Sequence, residues 1–121
     1  MTEEFNNQQE RRNFPRLATT VDVEYTVLKN SSLGAESITK NISAGGICLI
    51  VYEKIEPGTF LSLRLYLADI NLTVAAEGHV IWSSYFTMDA DSRDRYDLGI
   101  EFTQIKEEDR QKLSKYVFKL I

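Results

Sequence analysis

The chain is poor in the residues that build most catalytic and metal centres. It has one cysteine, Cys48, and one histidine, His79, in 121 residues. A lone thiol cannot close an internal disulfide, which fits a reducing compartment. Cys48 falls within an apolar strand and reads as a small core residue. With a single histidine and a cysteine placed in a core strand, neither a zinc-type ligand set nor a nucleophile–histidine triad can be assembled, so no cofactor and no enzymatic activity are expected. Long apolar runs are missing too. The longest, Gly46 to Tyr52, is far too short to cross a bilayer as a helix, so no membrane insertion is expected. The start Met1-Thr2-Glu3-Glu4 lacks the basic and apolar regions of a signal peptide. A cytoplasmic location follows as the expectation, and Asn41-Ile42-Ser43 is then no glycosylation acceptor. Positive charge is also scarce: 14 Lys and Arg stand against 18 Asp and Glu, for a net charge of −4. Binding to nucleic acid leans on broad positive fields, so an anionic ligand should be small and met by a local cluster.

What is present suits one domain. A length of 121 residues is enough for a single core and too short for two. Residues 1–16 carry no helical or strand period and read as a flexible leader, with the folded domain spanning 17–121. Val21, Val23, Tyr25 and Val27 alternate with polar residues, the period of a strand with one wet face. A short strand over 35–40 follows the turn at Asn30 to Gly34, and Ile47 to Tyr52 is a buried strand. Leu61, Leu63, Leu65 and Leu67 alternate in the same way, and Leu72 to Trp82 forms a further strand in which Gly78 marks a candidate bulge. Ser83 to Arg95 reads as a long polar hairpin loop, before a last strand with Leu98, Ile100 and Phe102 on one face. Six short strands at regular spacing predict a closed antiparallel barrel or a sandwich. At the carboxyl end Leu113, Tyr116, Val117, Leu120 and Ile121 recur at helical spacing, with Glu107, Glu108 and Asp109 in the first turn and Lys115 and Lys119 toward the end. That amphipathic helix is expected to cover one mouth of the barrel.

Two motifs carry chemistry. Arg11-Arg12-Asn13-Phe14-Pro15-Arg16 puts three guanidinium groups within six residues, the last two in the spacing RxxxR. The leader before them balances their charge with Glu3, Glu4 and Glu10, so this is a local site and not a basic tail. Asn41-Ile42-Ser43-Ala44-Gly45-Gly46 is a polar turn between apolar strands, of the form NxSxxG. Guanidinium forks fit phosphates and the paired acceptors on a guanine edge. The Asn41 amide can accept from guanine N–H groups, the Ser43 hydroxyl can bridge, and Gly46 permits a positive φ or a close backbone approach. Taken singly, an arginine cluster is commonly a solvated face and an Asn-x-Ser turn commonly only a turn.

Taken together, RxxxR followed by [D/N]xSxxG resembles the signature of the PilZ domain, the bacterial receptor module for cyclic di-GMP. The resemblance extends from about Glu10 to Ile121 and includes Gly78-His79-Val80-Ile81-Trp82 and Leu98-Gly99-Ile100-Glu101-Phe102. It implies a six-stranded antiparallel β-barrel with a carboxyl-terminal α-helix. It implies cyclic di-GMP as ligand, bound by Arg12, Arg16, Asn41, Ser43 and Gly46, and relay of the signal to a separate effector protein. Arg11 stands at the position before RxxxR, where an arginine is associated in the family with two intercalated ligand molecules per chain. Asn41 stands where many members have aspartate, and a neutral carbonyl accepts less strongly than a carboxylate.

Trp82 has two readings. Strand parity groups it with Leu72, Val74 and Val80 in the core, while a bulge at Gly78 would turn it to the ligand surface as a stacking aromatic. The acidic cluster Asp89, Asp91, Asp94 and Asp97 lacks the glycine and terminal glutamate of an EF-hand and reads as a solvated hairpin. The expectation is therefore a cyclic di-GMP receptor that orders its arginine segment over the ligand. Two alternatives stand beside it: an adaptor of PilZ fold that has lost nucleotide binding, and a small barrel for single-stranded nucleic acid. The acidic pI, and the lack of aromatics interleaved with basic residues on a strand face, weigh against the second.

Overall fold

A computed structural model describes residues 14–28, 35–88 and 93–120. Its strands are β1 (Asp22–Val27), β2 (Ala35–Ile42), β3 (Gly46–Val51), β4 (Phe60–Leu67), β5 (Leu72–Met88) and β6 (Arg93–Ile105), followed by helix α1 (Glu107–Leu120). They close into a barrel in the order β1-β2-β3-β6-β5-β4, with every neighbouring pair antiparallel. Closure comes from β1, which pairs with β2 on one side and β4 on the other. No strand edge is then left along the closed part of the sheet.

The alternating apolar residues point inward as their period requires. Leu61, Leu63, Leu65 and Leu67 of β4 are buried with Val23 and Tyr25 of β1, Ile47, Leu49 and Val51 of β3, and Leu98 and Ile100 of β6. Each fully buried leucine contributes about 1.5–3 kcal/mol of transfer free energy. Helix α1 adds Leu113, Tyr116 and Val117 to the same core. The Tyr116 hydroxyl also donates to the Asp69 carboxylate, at 3.1 Å to Oδ2, which pins the helix to the 3-10 turn Ala68–Ile70. Leu120, expected on the apolar face, is exposed, and Ile121 lies outside the described residues.

One expectation changes at β5 and β6. The segment read as a loop from Ser83 to Arg95 is mostly strand: β5 runs to Met88 and β6 starts at Arg93, paired from Ser83↔Leu98 through Met88↔Arg93. Cross-strand side chains hold this arm where no core face exists to impose an apolar period. Tyr85 and Tyr96 lie with ring centroids 5.3 Å apart, and the Tyr85 hydroxyl donates to Asp94 at 2.8 Å. Of the two readings of Trp82 the structure has the outward one, through a bulge at Ile81 and not at Gly78. Trp82 is 46% exposed and lies outside the core, because an extra residue, Ile81, bulges β5 between Val80↔Ile100 and Trp82↔Gly99. The bulge reverses strand parity, so Val80 points in while Ile81 and Trp82 both point out. The irregularity at Gly78 places its extra residue, Thr103, on β6 and leaves the parity of β5 unchanged.

The segment just before β1 touches the barrel. Phe14 packs against the core cluster, and Leu17 forms an isolated antiparallel bridge with Ile42. Residues 1–13, including Arg11 and Arg12, lie outside the described residues.

Candidate functional site

The turn after β2 is built around one hydroxyl. Ser43 is buried, and its Oγ accepts from the N–H groups of Gly45 at 3.0 Å and Gly46 at 3.1 Å. The same Oγ lies 3.3 Å from the Gly46 carbonyl, to which it donates, and the Ser43 N–H donates to that carbonyl at 2.9 Å. Serine favours such turns because a short hydroxyl can satisfy backbone donors that the bend would orphan. Ser43 therefore braces the turn from within. Ser43→Ala is expected to destabilise the ligand-free protein by about 1–3 kcal/mol, the cost of leaving buried donors unpaired. An unchanged melting temperature would show that the turn stands without the hydroxyl.

The glycines of this turn answer to close approach. Gly46 does not have a positive φ; among the described residues the one glycine that does is Gly58. A Cβ on Gly46 would lie 2.1 Å from the Ile100 carbonyl oxygen, because β3 presses against β6 there. A Cβ on Gly45 would lie 2.8 Å from the Phe14 ring, so the absence of a side chain is what lets Phe14 dock.

That docking brings the two motifs together. Leu17 and Ile42 exchange backbone hydrogen bonds of 2.8 and 2.9 Å, which sets the preceding Arg16 beside Asn41. Nη1 of Arg16 donates to Oδ1 of Asn41 at 2.8 Å across 25 residues of sequence. Arg12 belongs to the same motif but, with Arg11, lies outside the described residues.

A floor extends from this pair across four strands. Register aligns Asn41 with Cys48, Cys48 with Gly99, and Gly99 with Trp82. Cys48 is buried, yet it alternates with the inward Ile47 and Leu49 and stands outside the core cluster. It is thus part of the outer floor, not the core residue expected. Burial pushes its thiol pKa up, and so does the Asp97 charge, against the pull of Lys40, Arg16 and Arg95. The Trp82 indole lies directly on Gly99, where a Cβ would come within 2.1 Å of Nε1. A bulge brackets the row at each end. Lys40 is the extra residue of β2 and Ile81 that of β5, so each side presents two consecutive residues outward.

The charges around the floor are arranged about Asp97. Its carboxylate takes Nε and Nη2 of Arg95 at 2.9 and 3.1 Å and Nζ of Lys40 at 3.1 Å, with the Asp97 side chain 3% exposed. Burial alone would raise the carboxyl pKa, but the hydrogen bonds from Arg95 and Lys40 and their charges outweigh it and hold it below the usual range. A depressed pKa means stability that is complete above the unfolded value of about 3.9 and lost as pH falls through the lower folded value. Asp97→Asn should flatten the acid limb of the stability profile in that window; an unaltered limb would contradict the pairing. Asp97 is therefore no solvated hairpin residue. Asp94 is held by Tyr85, while Asp89 and Asp91 lie outside the described residues.

Arg16, Lys40 and Arg95 against Asp97 give the platform two excess positive charges on a chain of net charge −4. Beyond it, Arg95 lies over the Phe86 ring at 5.2 Å and Arg93 over Tyr52 at 3.9 Å. The strand face thus does interleave aromatics with arginines, contrary to the expectation from sequence. Two depressions lie elsewhere, one at Ala75 to Glu77 and Gln104 to Lys106 and one along Glu53 to Phe60. Neither holds a motif residue.

The sequence model of the PilZ domain matches residues 10–119, a span that takes in both motifs and the helix. The chain belongs to the PilZ domain family. Solved structures share this PilZ fold. MrkH of K. pneumonia in complex with c-di-GMP is 21% identical with a TM-score of 0.73, over 91% of this chain and 51% of that one. The inhibitor of motility MotI (DgrA) of Bacillus subtilis is 23% identical with a TM-score of 0.70, over 90% and 50%. The PilZ domain of YcgR from Escherichia coli with c-di-GMP is 14% identical with a TM-score of 0.70, over 91% of each chain. The chain therefore spans about half the length of MotI and MrkH. No curated protein matches it in sequence.

Within this PilZ domain, sequence reasoning missed Lys40, Arg95 and Asp97. Arg95 and Asp97 are two apart on one strand face, a spacing that pairs opposite charges, but a segment that reads as a loop gives that spacing no meaning. Lys40 gave no signal, since its outward position depends on a bulge.

Proposed function

We propose that this PilZ protein is a receptor for cyclic di-GMP that signals to a separate protein. The observation that carries the reading is the Arg16–Asn41 hydrogen bond, which joins the two family motifs at the edge of a positively charged floor ending in an exposed indole. A guanine base can lie on Trp82, while the Arg16 fork meets phosphate or the guanine O6 and N7 acceptors. Asn41 orients that fork and keeps its amide for a base edge. Arg12 and Arg11 add two guanidinium groups from the segment before Phe14, and their closure over the ligand would alter the surface a partner reads. Two stacked ligands would present four phosphates, which is the role assigned to Arg11. The net charge of −4 confines the reading to a compact anion.

Trp82 is the only tryptophan of the chain, so it reports on its own site. Cyclic di-GMP is expected to quench its fluorescence saturably, and Asn41→Ala should weaken the effect. Quenching that fails to saturate, or that survives Arg16→Ala and Asn41→Ala unchanged, would move the protein to the reading of an adaptor that does not bind nucleotide.

A further inference from the structure

Lys40 and Arg95 belong to neither motif, yet both are held at the floor by one buried carboxylate. Asp97 is the next outward residue of β6 after Gly99, about 7 Å along the strand at the usual rise. Arg95 engages it through the Nε and Nη2 edge, and Lys40 through a single hydrogen bond. Among the described residues the Nη1 of Arg95 makes no protein hydrogen bond, and the Lys40 side chain is 53% exposed. Two cations sharing one carboxylate leave a surplus positive charge with N–H donors to spare. Arg16 occupies a different place, beside Asn41, and all three cations act on the Cys48 thiol between them. Because Asp97 is almost wholly buried, it serves to position the cations and is not itself offered to solvent.

We propose that Lys40 and Arg95 form a second anion subsite on the platform, which takes one phosphodiester of the ligand while Arg16 takes the other, with Asp97 as the positioning residue. As a claim about cyclic di-GMP it rests on the function proposed above. A cyclic dinucleotide carries its two phosphates on opposite sides of one ring, and a single cluster at Arg16 would leave one of them uncompensated. Arg95 approaches with a planar fork suited to two phosphate oxygens, and Lys40 with a mobile point charge.

The test is a titration of the unmutated protein, Lys40→Met and Arg95→Gln with cyclic di-GMP and, separately, with inorganic pyrophosphate, each at low and high salt. Lys40→Met retains the Arg95–Asp97 pair and with it the fold, so it carries the test even where Arg95→Gln, which strips the buried carboxylate, unfolds. The subsite predicts at least a fivefold loss of cyclic di-GMP affinity in Lys40→Met and a shallower dependence on salt, because one screened charge contact has gone. Pyrophosphate affinity should fall in the same variant. Binding of both ligands within twofold of the unmutated protein, with the same salt dependence, would overturn the proposal. Should the unmutated protein bind pyrophosphate in a Lys40-dependent way but not cyclic di-GMP, the subsite stands and the cyclic di-GMP reading fails. Binding of neither overturns both.

Discussion

Arg16→Ala is expected to weaken cyclic di-GMP binding by about 1.5–3 kcal/mol, roughly tenfold to more than a hundredfold in Kd. The side chain is exposed, so stability of the ligand-free protein should stay within about 0.5 kcal/mol. The loss has two sources. A charge-assisted contact to the ligand disappears, and Asn41 loses the donor that fixes its amide. Asn41→Ala removes only the second, so its effect should be smaller, and the double variant should fall short of the sum because the two residues act as one unit. Arg16→Lys separates charge from geometry: if the fork matters, lysine restores little. Parallel thermal melts and titrations check this. A variant that fails to fold without ligand would make Arg16 a structural residue and remove it from the site.

Gly46→Val should damage the fold itself, by on the order of 3 kcal/mol, the upper end for overpacking. The obstacle is a backbone carbonyl, Ile100 O, 2.1 Å from where the Cβ would stand, and backbone held between β3 and β5 cannot swing aside as a side chain would. The clash arises at Cβ, so Gly46→Ala should be nearly as harmful as valine. A fall in melting temperature of roughly 10–20 °C corresponds to this loss in a domain of this size. If alanine were tolerated and only valine harmful, the close approach of β3 to β6 would not be the reason glycine is needed.

Much of this architecture was legible because the core imposes period. The leucines of β4 and the valines of β1 alternate without interruption, and the helix carries its apolar stripe and its charge polarity, so element type followed directly. The motif residues were legible as well, although their meeting through Leu17 and Ile42 was not, since backbone pairing leaves no mark on side-chain pattern. What escaped reading sits on the outer face. One added residue at Ile81 reversed the parity of Trp82, and another at Lys40 turned a lysine onto the platform beside Asn41. Cys48 and Asp97 are buried on the outside of the barrel, where burial comes from neighbouring side chains and not from the core, and hydropathy cannot separate the two kinds. The hydroxyl of Ser43 also bonds the backbone of its own turn, a role that motif spacing alone does not reveal.

Isothermal calorimetric titration of the unmutated chain with cyclic di-GMP tests the account most directly, because it reads affinity and stoichiometry together. Saturable heat is predicted at micromolar ligand or below, abolished or strongly weakened in Arg16→Ala, with two ligands per chain that fall toward one in Arg11→Leu. Saturation at one ligand in the unmutated protein would contradict the role given to Arg11, and an absence of heat at high micromolar ligand would contradict the receptor function as a whole.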